Sequence, residues 1–314
     1  MGDVTGMNEG ETRTIGRVPV SVAGLGCNNF GRRIDEDRSR AVVSAALNAG
    51  VTTFDTAESY GDGRSEEFLG RALGARRDDA VIVTKFSYGV AERATVQGLA
   101  RACAESLRRL GTDRIDVYLL HEPDEETPIS EILEGMSRLV DEGKVREIGC
   151  SNFSVEQLDE AAAAAADLGL RGFITVQNEY SLLEREPQRG VIEACRRLGM
   201  SVMPYFPLAS GILTGKYRRG QPAPEGSRLA RPGMEEYLSD DRLEKAERLE
   251  EFARAHGRTL LELALSWLAS RPMVSTVIAG ATTPEQVRAN VAATSAWHMT
   301  EEELAEIDRI TGEG

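Results

Sequence analysis

Four side chains that can transfer protons lie in three separate stretches of the first half of the chain. Asp55 and Tyr60 belong to the stretch FDTAESYG, Lys85 to AVIVTKF, and His121 ends DVYLLH. A phenol has a pKa of about 10, so it needs a nearby cation to exchange protons at neutral pH. Lys85 can be that cation, with Asp55 holding it in place and His121 hydrogen-bonding a carbonyl oxygen. These residue types predict general acid catalysis of carbonyl reduction by Tyr60.

Taken one at a time, these residues have ordinary structural interpretations. Tyr60 alone is typical of a packed aromatic, and Lys85 alone of a surface cation. Asp55 would cap a turn and His121 would be a core histidine bonded to a carbonyl. Only their joint placement at the ends of consecutive strands favours chemistry.

The elements that must position these residues alternate between short apolar strands and longer helical patterns. Eight strand-like stretches occur, from VSVAGLG to VSTVIAGATT, as is typical of βαβ units. Intervals of 30, 36, 30, 26 and 28 residues separate, in order, Asp55, Lys85, His121, Ser151, Gln177 and Tyr205. A barrel of about 250 residues with eight units has a repeat of about 31. We therefore predict an α/β fold, a single-domain (β/α)8 TIM barrel whose strand ends share one rim.

The barrel is predicted to occupy residues 11–314, after a polar and mobile tail at residues 1–10. One interval, between Tyr205 and Ile278, lacks the regular alternation. Its residues 211–238 are rich in Gly, Pro and Arg, which predicts a long loop covering the site. The stretch EEELAEIDRI after Thr300 predicts a C-terminal helix.

Composition narrows the class of protein. The 41% hydrophobic content is typical of a globular protein. The net charge of -14 and pI near 4.9 argue against nucleic acid or an anionic membrane as a partner. Four separated cysteines form no CxxC pair, and three histidines lack ligand spacing, so no disulfide or metal site is predicted. With no run of about 18 apolar residues, a cytoplasmic protein is expected.

Hydride transfer to a carbonyl group requires a cofactor, because side chains cannot supply a hydride. The GxGxxG fingerprint is absent, since Gly24, Gly26 and Gly31 have other spacings. A phosphate site is instead predicted in GATTPEQVRAN, residues 280–290, where a helix begins at Pro284 and Arg288 lies nearby. The same stretch would otherwise be a well-capped helix without a ligand.

The chain resembles the aldo-keto reductase family along nearly its whole length. The matching stretches are, in order, FDTAESYG, VTKF, LLHEPD, GCSNF, VQNEYSLL, YFPLASGILTGKY and GATTPEQVRAN. The resemblance implies a (β/α)8 barrel that binds NADP(H) in extended form and reduces aldehydes or ketones to alcohols. It places the catalytic tetrad on Asp55, Tyr60, Lys85 and His121, with a small carbonyl compound as the partner.

The resemblance also implies a set of cofactor contacts. Ser151, Asn152 and Gln177 would bind the nicotinamide carboxamide, and Tyr205 would stack on the nicotinamide ring. The other implied contacts are Gly26 and Cys27 on the nicotinamide side, Leu208, Gly211, Lys216 and Arg228 at the pyrophosphate, and Gly280, Thr282, Gln286 and Asn290 at the adenosine 2′-phosphate end. The chain departs from many family members in lacking their Lys-Ser pair against the 2′-phosphate, which Gly280 and Ala281 replace.

A second function is implied by the branch that the chain resembles. The stretches SNF, NEYSLL and LTGKY are similar to the bacterial reductases and the potassium-channel β-subunits. A barrel of that branch can be an NADP(H)-binding redox sensor or regulatory partner with little turnover. For a reductase, Phe30, Tyr88 and Phe206 indicate an apolar or aromatic substrate wall, although aromatic residues at a barrel rim are as often packed in the core. The sequence predicts neither the individual substrate nor the oligomeric state.

Overall fold

The structure is a computed structural model that describes residues 12–88, 94–231 and 233–313. The tail predicted at residues 1–10 lies outside the described residues. Eight parallel strands form one curved sheet, and an antiparallel hairpin precedes them. The described strands are β1 (Thr12–Ile15), β2 (Val18–Ser21), β3 (Ala23–Gly26), β4 (Thr53–Asp55), β5 (Val81–Phe86), β6 (Ile115–Leu120), β7 (Val145–Ser151), β8 (Thr175–Gln177), β9 (Ser201–Val202) and β10 (Val277–Gly280).

Helices connect the strands and cover the outside of the sheet. Several end at a glycine, as at Gly111 and Gly169, which take the left-handed conformation. The described α-helices are α1 (Glu36–Asn48), α2 (Arg64–Leu73), α3 (Val96–Leu110), α4 (Ile129–Asp141), α5 (Val155–Leu168), α6 (Val191–Leu198), α7 (Asp240–Ala255), α8 (Leu260–Ala269), α9 (Pro284–Thr294) and α10 (Glu301–Thr311).

The sheet closes into a barrel. Its strand order runs β10-β3-β4-β5-β6-β7-β8-β9. Between the two outer strands, the Val202 amide donates to the Met273 carbonyl (2.7 Å) and the Ser275 amide to the Val202 carbonyl (2.9 Å). These bonds join β9 to the residues before β10, so the predicted single-domain (β/α)8 barrel is confirmed.

Alternating residues of the strands face two different layers. On β5 and β6, Ile82 and Tyr118 pack outward against the helices, because parallel strands of a barrel are buried on both faces. Val83 and Leu119 face inward and pack with Ile15 of the hairpin. The barrel is therefore filled by side chains, and Lys85, which follows Val83 by two residues, shares the inward side.

The interval between Tyr205 and Ile278 contains more regular structure than the sequence indicates. Three short 3-10 turns, at 209–214, 228–230 and 235–238, are followed by α7 and α8. Ser239 caps α7, and Thr259 with Glu262 forms a capping box at α8. Only the part before α7 lacks long helices, and it runs along the rim at the carboxyl ends of the strands.

Candidate active site

The barrel brings the four predicted proton-transferring residues together. Asp55 ends β4, Lys85 is the penultimate residue of β5, His121 follows β6 and Tyr60 lies in the loop after β4. The Lys85 Nζ donates to Asp55 Oδ1 (2.7 Å) and to the Thr56 carbonyl (2.9 Å). It also lies 3.5 Å from the Tyr60 hydroxyl oxygen. The ammonium group is thus held between a carboxylate and a phenol.

The electrostatics of the pair leave both groups protonated. Burial acts to lower the pKa of Lys85, but Asp55 and Tyr60 outweigh burial and raise it. Burial raises the pKa of the Tyr60 phenol, and Lys85 offsets only part of that rise. Lys85 acts in the predicted direction, since it lowers the pKa of the phenol, but burial has the larger effect. Tyr60 therefore holds its proton at neutral pH, as a proton donor must.

His121 is a neutral imidazole. Burial, with a smaller contribution from the charge of Lys85, lowers its pKa to about 3. Its ring packs edge-on to Tyr60 at 5.8 Å between centroids, and it lies 4.7 Å from the ring of Tyr88. A neutral ring can donate a hydrogen bond without adding a second positive charge beside Lys85.

The three residues predicted to bind a carboxamide are joined to the tetrad. Gln177 Nε2 donates to Asp55 Oδ1 (2.9 Å), and Ser151 Oγ donates to the Gln177 carbonyl (2.7 Å). Asn152 Nδ2 donates to the His121 carbonyl (3.0 Å), and its Oδ1 accepts from the Tyr205 hydroxyl (2.8 Å). The network fixes the orientation of the amides on one side of the tetrad.

Several residues along this rim have strained backbones. Asn152, Phe206, Ala209 and Ser210 have φ angles of 62°, 49°, 46° and 57°. Non-glycine residues adopt this left-handed region rarely, and such strain is concentrated at functional sites. The positions follow β7 and β9, and Asn152, Phe206 and Ser210 also line the cavity.

A cavity of about 1530 Å³ opens above the tetrad. It extends from His121 to Asn290 and is bordered by the 211–238 segment, including Lys216 and Arg228. Predicted catalytic and cofactor residues that line it are Asp55, Tyr60, His121, Gly26, Ser151, Asn152, Gln177, Tyr205, Leu208, Gly211, Lys216, Arg228, Gly280, Thr282, Gln286 and Asn290. A groove of this length and lining can accept an extended dinucleotide.

Three predicted residues lie away from the cavity surface. Lys85 is fully buried beneath Asp55 and Tyr60. Cys27 is also fully buried, its thiol directed to the Leu25 carbonyl (3.7 Å), so its side chain does not border the cavity. Phe30, predicted as part of an aromatic wall, is wholly in the core. Tyr88 and Phe206 do line the cavity.

Sequence reasoning missed a group of arginines beside the cavity. Arg33, from the loop after β3, and Arg231, from the 211–238 segment, border a second space of about 520 Å³. Arg32 and Thr282 border both spaces, so the second space adjoins the main cavity. The "RR" at 32–33 and the arginines of 228–231 were the available signal, but nothing in their spacing indicates that they meet.

The described residues offer neither a metal site nor a membrane-spanning helix. Within residues 12–88, 94–231 and 233–313, no group of His, Cys, Asp or Glu is arranged to hold a metal ion. No helix in those ranges is long and apolar enough to cross a membrane. All four cysteines are free thiols in the core.

Known proteins are similar to this chain in sequence and fold. A family model described as the aldo/keto reductase family matches residues 23–311. A probable voltage-gated potassium channel subunit beta of Oryza sativa subsp. japonica is 37% identical over 90% of this chain and 90% of that protein. The L-glyceraldehyde 3-phosphate reductase of Escherichia coli O157:H7 is 32% identical over 95% and 90%. A crystal structure of an aldo-keto reductase from Klebsiella pneumoniae in complex with NADPH has a TM-score of 0.78 and 31% identity, covering 98% of this chain and 97% of that chain.

Proposed function

The chain belongs to the aldo/keto reductase family, a family of oxidoreductases, and we propose that it reduces aldehydes or ketones to alcohols with NADP(H), using Tyr60 as the general acid. The observation that carries the proposal is the buried Asp55–Lys85 pair placed against the Tyr60 hydroxyl group, at the base of a groove long enough for a dinucleotide.

The lining of the groove supports NADP(H) as the cofactor. Ser151, Asn152 and Gln177 offer amide and hydroxyl groups near the tetrad, and Tyr205 offers a ring. Lys216 and Arg228 supply positive charge farther along, where a pyrophosphate carries negative charge. Bound there, the reduced nicotinamide would supply the hydride that the side chains lack. The end of the groove proposed for the adenosine is lined by Gly280, Thr282, Gln286 and Asn290.

The protonation states of the tetrad support the reduction of a carbonyl group. Tyr60 carries a proton because burial raises its pKa, so its hydroxyl can donate to a carbonyl oxygen as negative charge develops there. The Lys85 ammonium, 3.5 Å away, would stabilise the phenolate that remains. Asp55 keeps Lys85 charged, and neutral His121 would donate a hydrogen bond to the same substrate oxygen.

The test is the Tyr60→Phe variant, assayed by NADPH consumption with a panel of aromatic, aliphatic and sugar aldehydes. We expect kcat to fall by about 10² to 10⁴, the usual contribution of a general acid, while the Kd for NADPH stays nearly constant. The matched control is Tyr88→Phe, which removes a hydroxyl group from another tyrosine of the same cavity and should keep turnover. Full turnover by Tyr60→Phe would show that the phenol is not the acid.

A second candidate function is an NADP(H)-binding redox sensor or regulatory partner of another protein. It is favoured by the 37% identity to a relative named as a probable potassium channel subunit beta. The same assay separates the two candidates. Tight NADPH binding with negligible turnover on every carbonyl compound supports the sensor, whereas fast turnover that depends on Tyr60 supports the reductase.

A further inference from the structure

The space of about 520 Å³ beside the main cavity is lined mainly by cations and small residues. Arg33 and Arg38 come from the loop after β3 and from α1, and Ser227 and Arg231 come from the 211–238 segment. Thr282, at the end predicted for the adenosine 2′-phosphate, closes the space on the third side. Three separate parts of the chain thus meet around one pocket, which we call the arginine pocket.

The cations of the arginine pocket lack carboxylate partners in the described structure. Arg33 makes one hydrogen bond, from Nη2 to the Gly226 carbonyl (3.2 Å). Among the described residues no ion pair is found for Arg33, Arg38 or Arg231, nor for Arg228 of the adjoining main cavity. In contrast, Arg288, which the sequence places near the phosphate site, is paired with Glu285 at 2.7 Å. In a chain of net charge -14, unpaired arginines grouped together have no evident role in stability.

The arginines are close enough to repel one another. Burial lowers the pKa of Arg228, and the charges of Arg33 and Arg231 lower it further. Burial and Arg231 likewise lower the pKa of Arg33. The guanidinium of Arg228 also lies over the Phe206 ring at 4.5 Å, and both residues line the main cavity. An anion in the pocket would remove this repulsion.

A buried hydroxyl group gives independent support for a ligand. The Ser227 Oγ is shielded from solvent by its neighbours and has no hydrogen-bond partner within the described residues. Buried polar groups without partners are rare, since each loses its hydrogen bonds to water and gains none in exchange. Ser227 borders both spaces, so an acceptor oxygen bound in the pocket would satisfy its hydroxyl proton.

We propose that Arg33, Arg231 and Ser227 form the subsite that binds the 2′-phosphate of NADP(H). This rests on the proposed function. The pocket shares Arg33, Ser227 and Thr282 with the lining of the main cavity, and its own lining includes neither Tyr60 nor His121, so it belongs to the end of the groove away from the reacting groups. Gly280 and Ala281 supply no charge there, and the arginines of the loop after β3 and of the 211–238 segment supply it instead. A phosphate monoester carries close to two negative charges and is the anion that two arginines fit best.

The experiment measures dinucleotide binding without turnover. Kd values for NADPH and NADH are determined by fluorescence titration, and those for 2′,5′-ADP and 5′-ADP by calorimetry, on the wild type, Arg33→Gln and Arg231→Gln. The control is Arg40→Gln, which also removes one positive charge but lies on the exposed side of α1, paired with Asp37. We expect each pocket variant to raise the Kd for NADPH and for 2′,5′-ADP by about tenfold or more. NADH and 5′-ADP should be unaffected, and Arg40→Gln should match the wild type.

Two results would overturn the proposal. Equally weakened binding of NADPH and NADH would mean a general effect of charge, and unchanged NADPH binding would exclude the subsite. If the pocket variants instead raised the KM for glyceraldehyde 3-phosphate at constant Kd for NADPH, the pocket would bind a substrate phosphate. These experiments measure binding, so they are independent of turnover. Selective weakening of NADPH binding without any turnover in the wild type would support the subsite and reject only the proposed reductase function. Unchanged NADPH binding in the variants, with normal Tyr60-dependent turnover, would reject only the subsite.

Discussion

Tyr60 and His121 line the same cavity, and their surroundings keep both side chains uncharged. Burial keeps the Tyr60 phenol protonated and the His121 imidazole unprotonated, while Lys85 remains charged because Asp55 is bonded to it. The site therefore contains one ion pair and two neutral hydrogen-bond donors. Pairs of titratable groups with pKa values driven apart are typical of acid catalysis.

The low pKa of His121 predicts a specific dependence of stability on pH. Between about pH 6.5 and 3 the unfolded chain binds a proton at this residue and the folded chain does not. Folding is therefore progressively destabilised as the pH falls through that window, and unaffected by this residue above it. His121→Gln should lessen the loss of unfolding free energy between pH 7 and pH 4.5, as measured by urea denaturation at both values.

Because carboxylates also titrate in that window, the informative quantity is the difference between variant and wild type. His298→Gln, which alters an exposed histidine, is the control and should follow the wild type. An identical pH dependence for His121→Gln and wild type would mean that the imidazole is not held neutral in the folded protein.

At the level of single residues, the sequence predicts where side chains at strand ends lie, but it does not predict the positions of side chains in loops. Asp55, Lys85 and His121 could be placed together because each is at the carboxyl end of a barrel strand. Cys27 and Phe30 lie in the loop after β3, where no periodicity tells which side chains turn into the core. The approach of Arg33 to Arg231 depends on two loop conformations at once, which sequence patterns do not specify.

At the level of elements, the close approach of α2 to α3 depends on one glycine. A Cβ atom at Gly70 would lie 2.2 Å from the Leu110 carbonyl oxygen. This contact brings the buried Glu66 of α2 within 2.6 Å of Arg109, and Glu66 also accepts from the Thr84 hydroxyl of β5 (2.6 Å). Thr84 directly precedes Lys85, so the helix pair supports the strand that carries the site.

Gly70→Ala should therefore destabilise the protein, although glycine to alanine inside a helix usually stabilises by up to about 1 kcal/mol. We expect a loss of more than about 1 kcal/mol, because the helices must separate and weaken a buried ion pair. Urea denaturation measures it. Gly172→Ala is the control, since its Cβ would meet only the Ala165 Cβ at 3.7 Å and should be tolerated. A stabilised Gly70→Ala variant would show that the helices adjust freely.

The elements that the sequence did not predict had weak or unusual signals. In the hairpin, only two residues separate β1 from β2, and each strand has four residues. Helix α7 is so rich in charge that its apolar stripe is narrow, with Leu243, Ala246, Leu249 and Ala253 as the buried positions. Its N-cap, Ser239, and the capping box at Thr259 were readable signals of helix starts.

On the scale of the whole molecule, the two ends of the barrel have different tasks. The carboxyl ends of the strands carry the tetrad and the cavity, whereas the hairpin packs Ile15, Val18 and Val20 against the inward residues Val81 and Val117. This apolar plug fills the barrel below Lys85 and excludes water from that side. Separation of the ends implies that stability can be altered at the hairpin without altering the chemistry.

Ile15→Ala tests that separation. Ile15 is completely buried, so the substitution should lower the unfolding free energy by about 2–5 kcal/mol through lost apolar burial and a residual cavity. Thr14→Ala, on the exposed face of the same strand, is the control and should change it by less than about 0.5 kcal/mol. At a temperature where both variants are folded, kcat and the Kd for NADPH should equal those of the wild type. A large fall in kcat without unfolding would mean that the packing of the plug reaches the Asp55–Lys85 pair, and that the barrel acts as one mechanical unit from hairpin to rim.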